Sequence, residues 1–152
     1  SVISPFDAWL LLRGLRTLGV RYRRASESAL FLATRLEDFR GIERLFYPGL
    51  ASHPHQEIAA RQMTEGCGGM LSILVDGPAE LAAAVTAATN VFTTATSLGG
   101  TESLIEHRAR VEGPHSVVPQ NLLRLSIGLE APEDLLADLE TAVSTALDKG
   151  QT

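Results

Sequence analysis

Cysteine and lysine are almost missing: Cys67 and Lys149 are the single examples of each in 152 residues. A lone thiol cannot close an internal disulfide, which excludes a disulfide-stapled scaffold and agrees with a reducing cytoplasm as the expected compartment. Set among glycines in "EGCGGM", Cys67 reads as a small buried residue rather than a nucleophile. An excess of basic charge is also missing. With a net charge of −5 the chain has no electrostatic footprint for nucleic acid, and none is expected as a partner. Every cationic residue except Lys149 is arginine, and the group Arg13, Arg16, Arg21, Arg23 and Arg24 reads as helix surface or an interface. No run reaches the roughly 20 apolar residues that span a bilayer, and the N-terminus lacks a charged start before a cleavable apolar core. A soluble chain with no membrane partner is the expectation.

What is present is ordinary globular composition, 45% apolar and 20% charged, enough for one domain with a hydrophobic core. Residues 1–40 read as a long bent helix, because Leu11, Leu15, Leu18, Tyr22, Ala25, Ala29, Leu32 and Leu36 alternate spacings of four and three. Ser4, Pro5 and Asp7 supply its start, Gly14 and Gly19 local weak points, and Gly41 its end. From 41 to 150 strands and helices alternate: strand 42–47, helix 54–63, strand 69–76, helix 78–89, strand 91–97, strand 121–129 and a terminal helix 131–150. Residues 99–119 read as the longest irregular segment. The fold class expected is a two-layer α/β domain with four strands and about four helices.

One strand poses a chemical question. In "NLLRLSIGLE" (121–130), Leu123, Leu125, Ile127 and Leu129 alternate onto one face, leaving Leu122, Arg124, Ser126 and Gly128 on the other. A permanently charged guanidinium in so apolar a strand asks for a planar anionic partner. Either it holds a carboxylate ligand in a cleft through two charge-assisted hydrogen bonds, or it forms a structural ion pair with one of the 18 acidic residues, the commoner case. "TSLGGTES" (96–103) puts Ser97 at a strand end before Gly99 and Gly100, where backbone can approach a ligand, yet it lacks the lysine of a phosphate loop. His53 and His55 straddle Pro54 with no third ligand nearby, so no metal is expected. His107 and His115 form no local triad.

Five stretches occur in order: "SPFDAWLLLRGLRTL", "YPGLASHPHQEIAARQM", "GCGGMLSILV", "SLGGTESLIEH" and "LLRLSIGLEAPEDLLADLETAVSTAL". Together they resemble the C-terminal portion of the pyridoxal-phosphate enzymes of cysteine and methionine metabolism, the trans-sulfuration family of cystathionine γ-synthases, γ-lyases and β-lyases and methionine γ-lyases. The resemblance covers nearly the whole chain. It implies that residues 1–152 are the small C-terminal domain of fold type I: an antiparallel four-stranded sheet covered by helices, with the long helix 1–40 joining it to a large cofactor domain.

The resemblance also implies site roles. The arginine of "LLRLS", here Arg124, binds the substrate's α-carboxylate. The serine of "SLGG", here Ser97, helps place substrate and cofactor lysine, with Thr96 and Leu98 beside it on the substrate side. The Schiff-base lysine and most pyridoxal-phosphate contacts belong to the large domain. Lys149, in the last turn of the terminal helix, cannot replace that lysine, so this chain carries no catalytic residue of its own and is expected to be inactive alone. A tetrameric parent acting on cystathionine is implied. Thr96 stands where γ-acting members carry glutamate, and Arg108, Glu112 and Gly113 replace the family's proline and threonine-histidine pair. "RGLRTLGVR" looks like β-lyases and "YPGLASHPHQEIAARQM" like γ-enzymes, so β-elimination of cystathionine is the leading expectation, with γ-chemistry close behind. The alternative from another class is a non-catalytic binding or oligomerisation module of the same fold.

Overall fold

The structure, a computed structural model, describes residues 2–150. Helix α1 (Pro5–Leu15) starts where Ser4 accepts the Asp7 backbone N–H at 3.1 Å and proline takes the first helical position. The expected single helix over 1–40 is in fact two. After Gly14 the chain turns at Arg16 and Thr17, and α2 (Leu18–Leu36) follows. The Gly14 carbonyl is satisfied there by the Thr17 N–H at 3.3 Å and by Arg21 Nη1 at 3.0 Å, so the break leaves it hydrogen-bonded.

The remaining elements are β1 (Ile42–Phe46), α3 (Gln56–Gln62), β2 (Met70–Val75), α4 (Ala79–Ala88), β3 (Thr93–Thr94), β4 (Leu104–His107), α5 (Arg108–Glu112), β5 (Leu122–Ser126) and α6 (Pro132–Gly150). The sheet has five strands in the order β1-β2-β5-β4-β3, antiparallel except for the parallel pair β3 and β4. Two corrections follow. The sheet is mixed rather than four-stranded and antiparallel, and segment 99–119 contains β4 and α5. The four residues of β4 are too short and polar to show a period; pairing with β5 makes them a strand. The β-branched run 91–97 keeps only Thr93–Thr94 as strand, held by Thr93 N–H on Ser103 O and Ala95 N–H on Ile105 O. Ser97 therefore lies in a loop, not at a strand end.

Alternation decides which sheet face is covered. Leu71, Ile73 and Val75 of β2, Ile105 of β4, and Leu123 and Leu125 of β5 are buried against Leu32 and Leu36 of α2, Ala82 and Val85 of α4, and Leu135, Leu139 and Val143 of α6. These three helices thus lie on one side. The row Phe46, Ser72, Arg124 and Glu106, aligned across β1, β2, β5 and β4, lies on the other.

The apolar stripe of the first forty residues splits at the helix break. Ala29, Leu32 and Leu36 are fully buried, whereas Phe6, Trp9, Leu11, Leu15 and Leu18 are exposed. Tyr47 closes the core near β1, its hydroxyl donating to the Gly68 carbonyl at 2.9 Å with Ser26 O at 3.2 Å. Burial first, then Cys67 and Tyr22, push this phenol above its ordinary pKa. The fold favours the neutral form, so its contribution is complete below the ordinary tyrosine pKa of ~10 and is lost as pH rises above it. Tyr47→Phe is expected to flatten the fall in thermal midpoint from roughly pH 10 to 12, measured by calorimetry.

Candidate functional site

Arg124 is the central group of the open face. Its strand neighbours Leu123 and Leu125 are fully buried in the core, which fixes the backbone and turns the guanidinium to the opposite side. Nη1 donates to Glu106 Oε1 at 2.9 Å, directly across the β4–β5 ladder. The ion pair allowed by the strand pattern is therefore present. It engages one nitrogen only. Arg124 keeps 24% of its side chain exposed, and Nε and Nη2 have no partner among the described residues. That edge of a guanidinium matches the two oxygens of a carboxylate.

Glu106 is 3% exposed and also accepts from Arg108 Nη1 at 3.0 Å. Its second oxygen, Oε2, is buried without a hydrogen-bond partner among the described residues. Arg108 in turn donates from Nε to Glu112 at 2.8 Å, and Ser116 Oγ donates to the same carboxylate. The Arg108 guanidinium is held more firmly charged by Glu106 and then by Glu112, while Ser116 and then Arg108 lower the pKa of Glu112. Glu106 carried no signal in the sequence. It became visible only when β4 was found beside β5.

The "SLGG" loop reaches the same face. The Gly99 N–H donates to Ser126 Oγ at 3.2 Å, and Ser126 is two residues from Arg124 on the same side of β5. Ser97 is exposed and is the one non-glycine residue with positive φ among the described residues, at 116°. Serine held there is strained, a feature that concentrates at ligand sites. Thr96 is exposed on the outer part of the loop. Leu98, Gly99 and Gly100, with Tyr22, Met70 and Ser126, line a cavity of about 200 Å³.

The loop is pinned from below. Glu130 accepts from the Ser103 N–H and hydroxyl, both at 2.7 Å, and Ser103 Oγ accepts the Gly128 N–H at 2.8 Å. A Cβ on Gly128 would meet the Thr101 carbonyl oxygen at 2.3 Å, backbone that cannot swing aside. Gly128→Ala is thus expected to destabilise the chain by about 2 kcal/mol or more and to displace the loop, readable as a lowered thermal midpoint and as faster amide exchange at 97–103.

The other candidates fall elsewhere. His53 Nδ1 accepts the His55 N–H at 3.2 Å and so closes the turn before α3. His107 is buried and its Nε2–H donates to the Gln120 carbonyl; His115 is exposed. Among the described residues no group of three or more His, Cys, Asp or Glu could hold a metal ion. Cys67 packs half-buried against the core, beside a cavity of about 510 Å³ that shares no residue with the Arg124 face. Lys149 lines a third cavity with Asp76, Gly77 and Pro78, on the helix side of the sheet. No described helix is long and apolar enough to cross a membrane.

The open sheet face carries an arginine whose Nε and Nη2 edge has no partner among the described residues, next to a strained serine loop, and a guanidinium edge of that kind has the chemistry to take a carboxylate. Residues 1–144 match the sequence model of the Cys/Met metabolism PLP-dependent enzymes, and the chain belongs to that family. It is 48% identical over 148 residues to a cystathionine γ-synthase of Mycobacterium tuberculosis, covering 94% of this chain and 38% of that protein. It is 41% identical over 153 residues to a cystathionine β-lyase of Coxiella burnetii, covering 94% and 39%. The crystal structure of cystathionine γ-synthase from Xanthomonas oryzae pv. oryzae in complex with cystathionine superposes with a TM-score of 0.88 at 42% identity, over 95% of this chain and 39% of that one. The chain thus spans under two fifths of the length of these relatives, and its fold is that of fold type I pyridoxal-phosphate enzymes.

The described residues fit one end of the family's chemistry. Arg124 suits an amino-acid carboxylate, while the single lysine stands on the wrong side of the sheet to hold pyridoxal phosphate.

Proposed function

We propose that this chain is the substrate-binding part of a pyridoxal-phosphate-dependent trans-sulfuration enzyme acting on a C–S bond of a cystathionine-like amino acid. The observation that carries this reading is Arg124, anchored through Nη1 while its Nε and Nη2 edge stays open on the uncovered face. Bound bidentately, an α-carboxylate loses its rotational freedom, and the bond to be broken at Cα is held in one orientation. Ser97, with Thr96 and Leu98 beside it, closes the same face and helps place the amino acid. The cofactor, when bound, supplies the electron sink that stabilises negative charge at Cα. Its lysine belongs to a second domain, for which the exposed Phe6, Trp9, Leu11 and Leu15 of α1 offer apolar surface. Alone, the chain is expected to be inactive, and a homotetramer is the expected assembly of the whole protein.

Between the two chemistries, the identity to a γ-synthase, 48% against 41% to a β-lyase, favours reaction at Cγ over the β-elimination that "RGLRTLGVR" suggested. Thr96, in place of the glutamate of γ-acting members, keeps β-elimination as the second reading. Incubating the full-length enzyme with cystathionine and identifying the thiol distinguishes them. Cleavage at Cγ releases cysteine, and cleavage at Cβ releases homocysteine. Formation of cystathionine from cysteine and a γ-activated amino acid would identify a synthase, and no turnover of any of these would remove the proposal.

A further inference from the structure

We propose that Glu106 and Arg108 are positioning residues for Arg124: Glu106 fixes the guanidinium so that its Nε and Nη2 edge faces the ligand, and Arg108 offsets the Glu106 charge. The inference rests on the carboxylate-binding role given to Arg124 above.

Both arginines place Nη1 on one oxygen, Glu106 Oε1, at 2.9 and 3.0 Å. Glu106 is almost fully buried and its other oxygen is orphaned, an arrangement with a desolvation cost and no complete return. For stability alone, apolar residues on those strands would serve as well or better. Geometry gives the carboxylate a different use. An arginine side chain with four rotatable bonds loses its rotamer freedom on binding, and an anchor on one nitrogen removes that loss beforehand.

The anchor brings a difficulty that Arg108 resolves. Glu106 alone would cancel the charge of Arg124 and weaken its attraction for a carboxylate. With Arg108 on the same oxygen, the three groups that meet at buried Glu106 carry a net positive charge. Glu112 bonds Arg108 through Nε, away from the Nη1 that meets Glu106. With the two side chains 33% and 29% exposed, this second pair is partly screened by solvent and lies one residue further from Arg124. No other charged group bonds to this cluster among the described residues. Arg108 opens α5 immediately after β4, so the strand end delivers it beside Glu106.

The test uses the full-length holoenzyme. Glu106→Gln is expected to raise KM for the amino-acid substrate by about tenfold or more, with kcat within about threefold and the cofactor absorbance unchanged. Arg108→Gln should raise KM by roughly fivefold, and Arg108→Lys, which keeps the charge, should return it toward wild type. Adding Glu106→Gln to Arg124→Ala should change KM little further, since nothing is left to position. If Glu106→Gln does not fold, Arg108→Gln at its one-third exposed site carries the same test. KM within twofold of wild type in both glutamine variants, while Arg124→Ala still raises it, would overturn the inference alone. An unchanged KM in Arg124→Ala would overturn the binding role beneath it.

Discussion

Arg124→Ala in the full-length holoenzyme is expected to raise KM for the amino-acid substrate by about two orders of magnitude while leaving the cofactor absorbance intact. Two charge-assisted hydrogen bonds are lost together, and a truncated bidentate pair typically loses about 3 kcal/mol, which is roughly a hundredfold. Cofactor binding should survive because the described residues that fit the family's chemistry lie at the substrate end. The change also removes one of the two guanidinium partners of buried Glu106, so a fall in thermal midpoint should accompany the kinetic effect. Arg124→Lys separates the two: it keeps a cation near Glu106 but not the planar fork, and KM should stay high while much of the stability returns. Steady-state kinetics with calorimetry on both variants checks this.

Asp138→Ala should have the largest effect on stability. From α6 the carboxylate accepts three successive backbone N–H groups, those of Asn90, Val91 and Phe92, at 2.8, 2.9 and 3.0 Å. The site is 7% exposed, so the freed donors would find little water. About 3 kcal/mol is expected for them together, near a 10 °C fall in the thermal midpoint of a chain this size. The damage should reach the site, because residues 90–92 lead into β3 and then into the loop of Ser97. Amide exchange should quicken at 90–99 before it does in β2 or β5.

The helices and central strands were legible because their faces alternate cleanly between core and surface. Leu71, Ile73 and Val75, or Leu135, Leu139 and Val143, state their period within a few residues. The break near Gly14 was foreshadowed by the glycine, but the apolar stripe runs through it at the same spacing, so periodicity could not register the turn. The short strand Leu104–His107 escaped because its identity depends on a partner eighteen residues away, and the exposed Thr93–Thr94 ends earlier than its β-branched neighbours suggest. Arg124 was legible as an outward-facing charge, and five ordered motifs gave it a role. Glu106 and Arg108 were not, because the constellation arises from cross-strand register rather than from any local pattern. Of the two readings first weighed for Arg124, the ion pair is present, through Nη1 to Glu106, while Nε and Nη2 stay without a partner among the described residues.

The role of Arg124 is tested most directly by substrate discrimination. For the wild-type holoenzyme and Arg124→Ala, kcat/KM would be compared between the amino-acid substrate and its analogue lacking the α-carboxylate. If the arginine reads that group, the wild type should favour the true substrate by about a hundredfold or more, and the variant should lose nearly all of this preference. A variant that still discriminated as strongly as the wild type would show that the carboxylate is held elsewhere, and Arg124 would be left as a structural partner of Glu106.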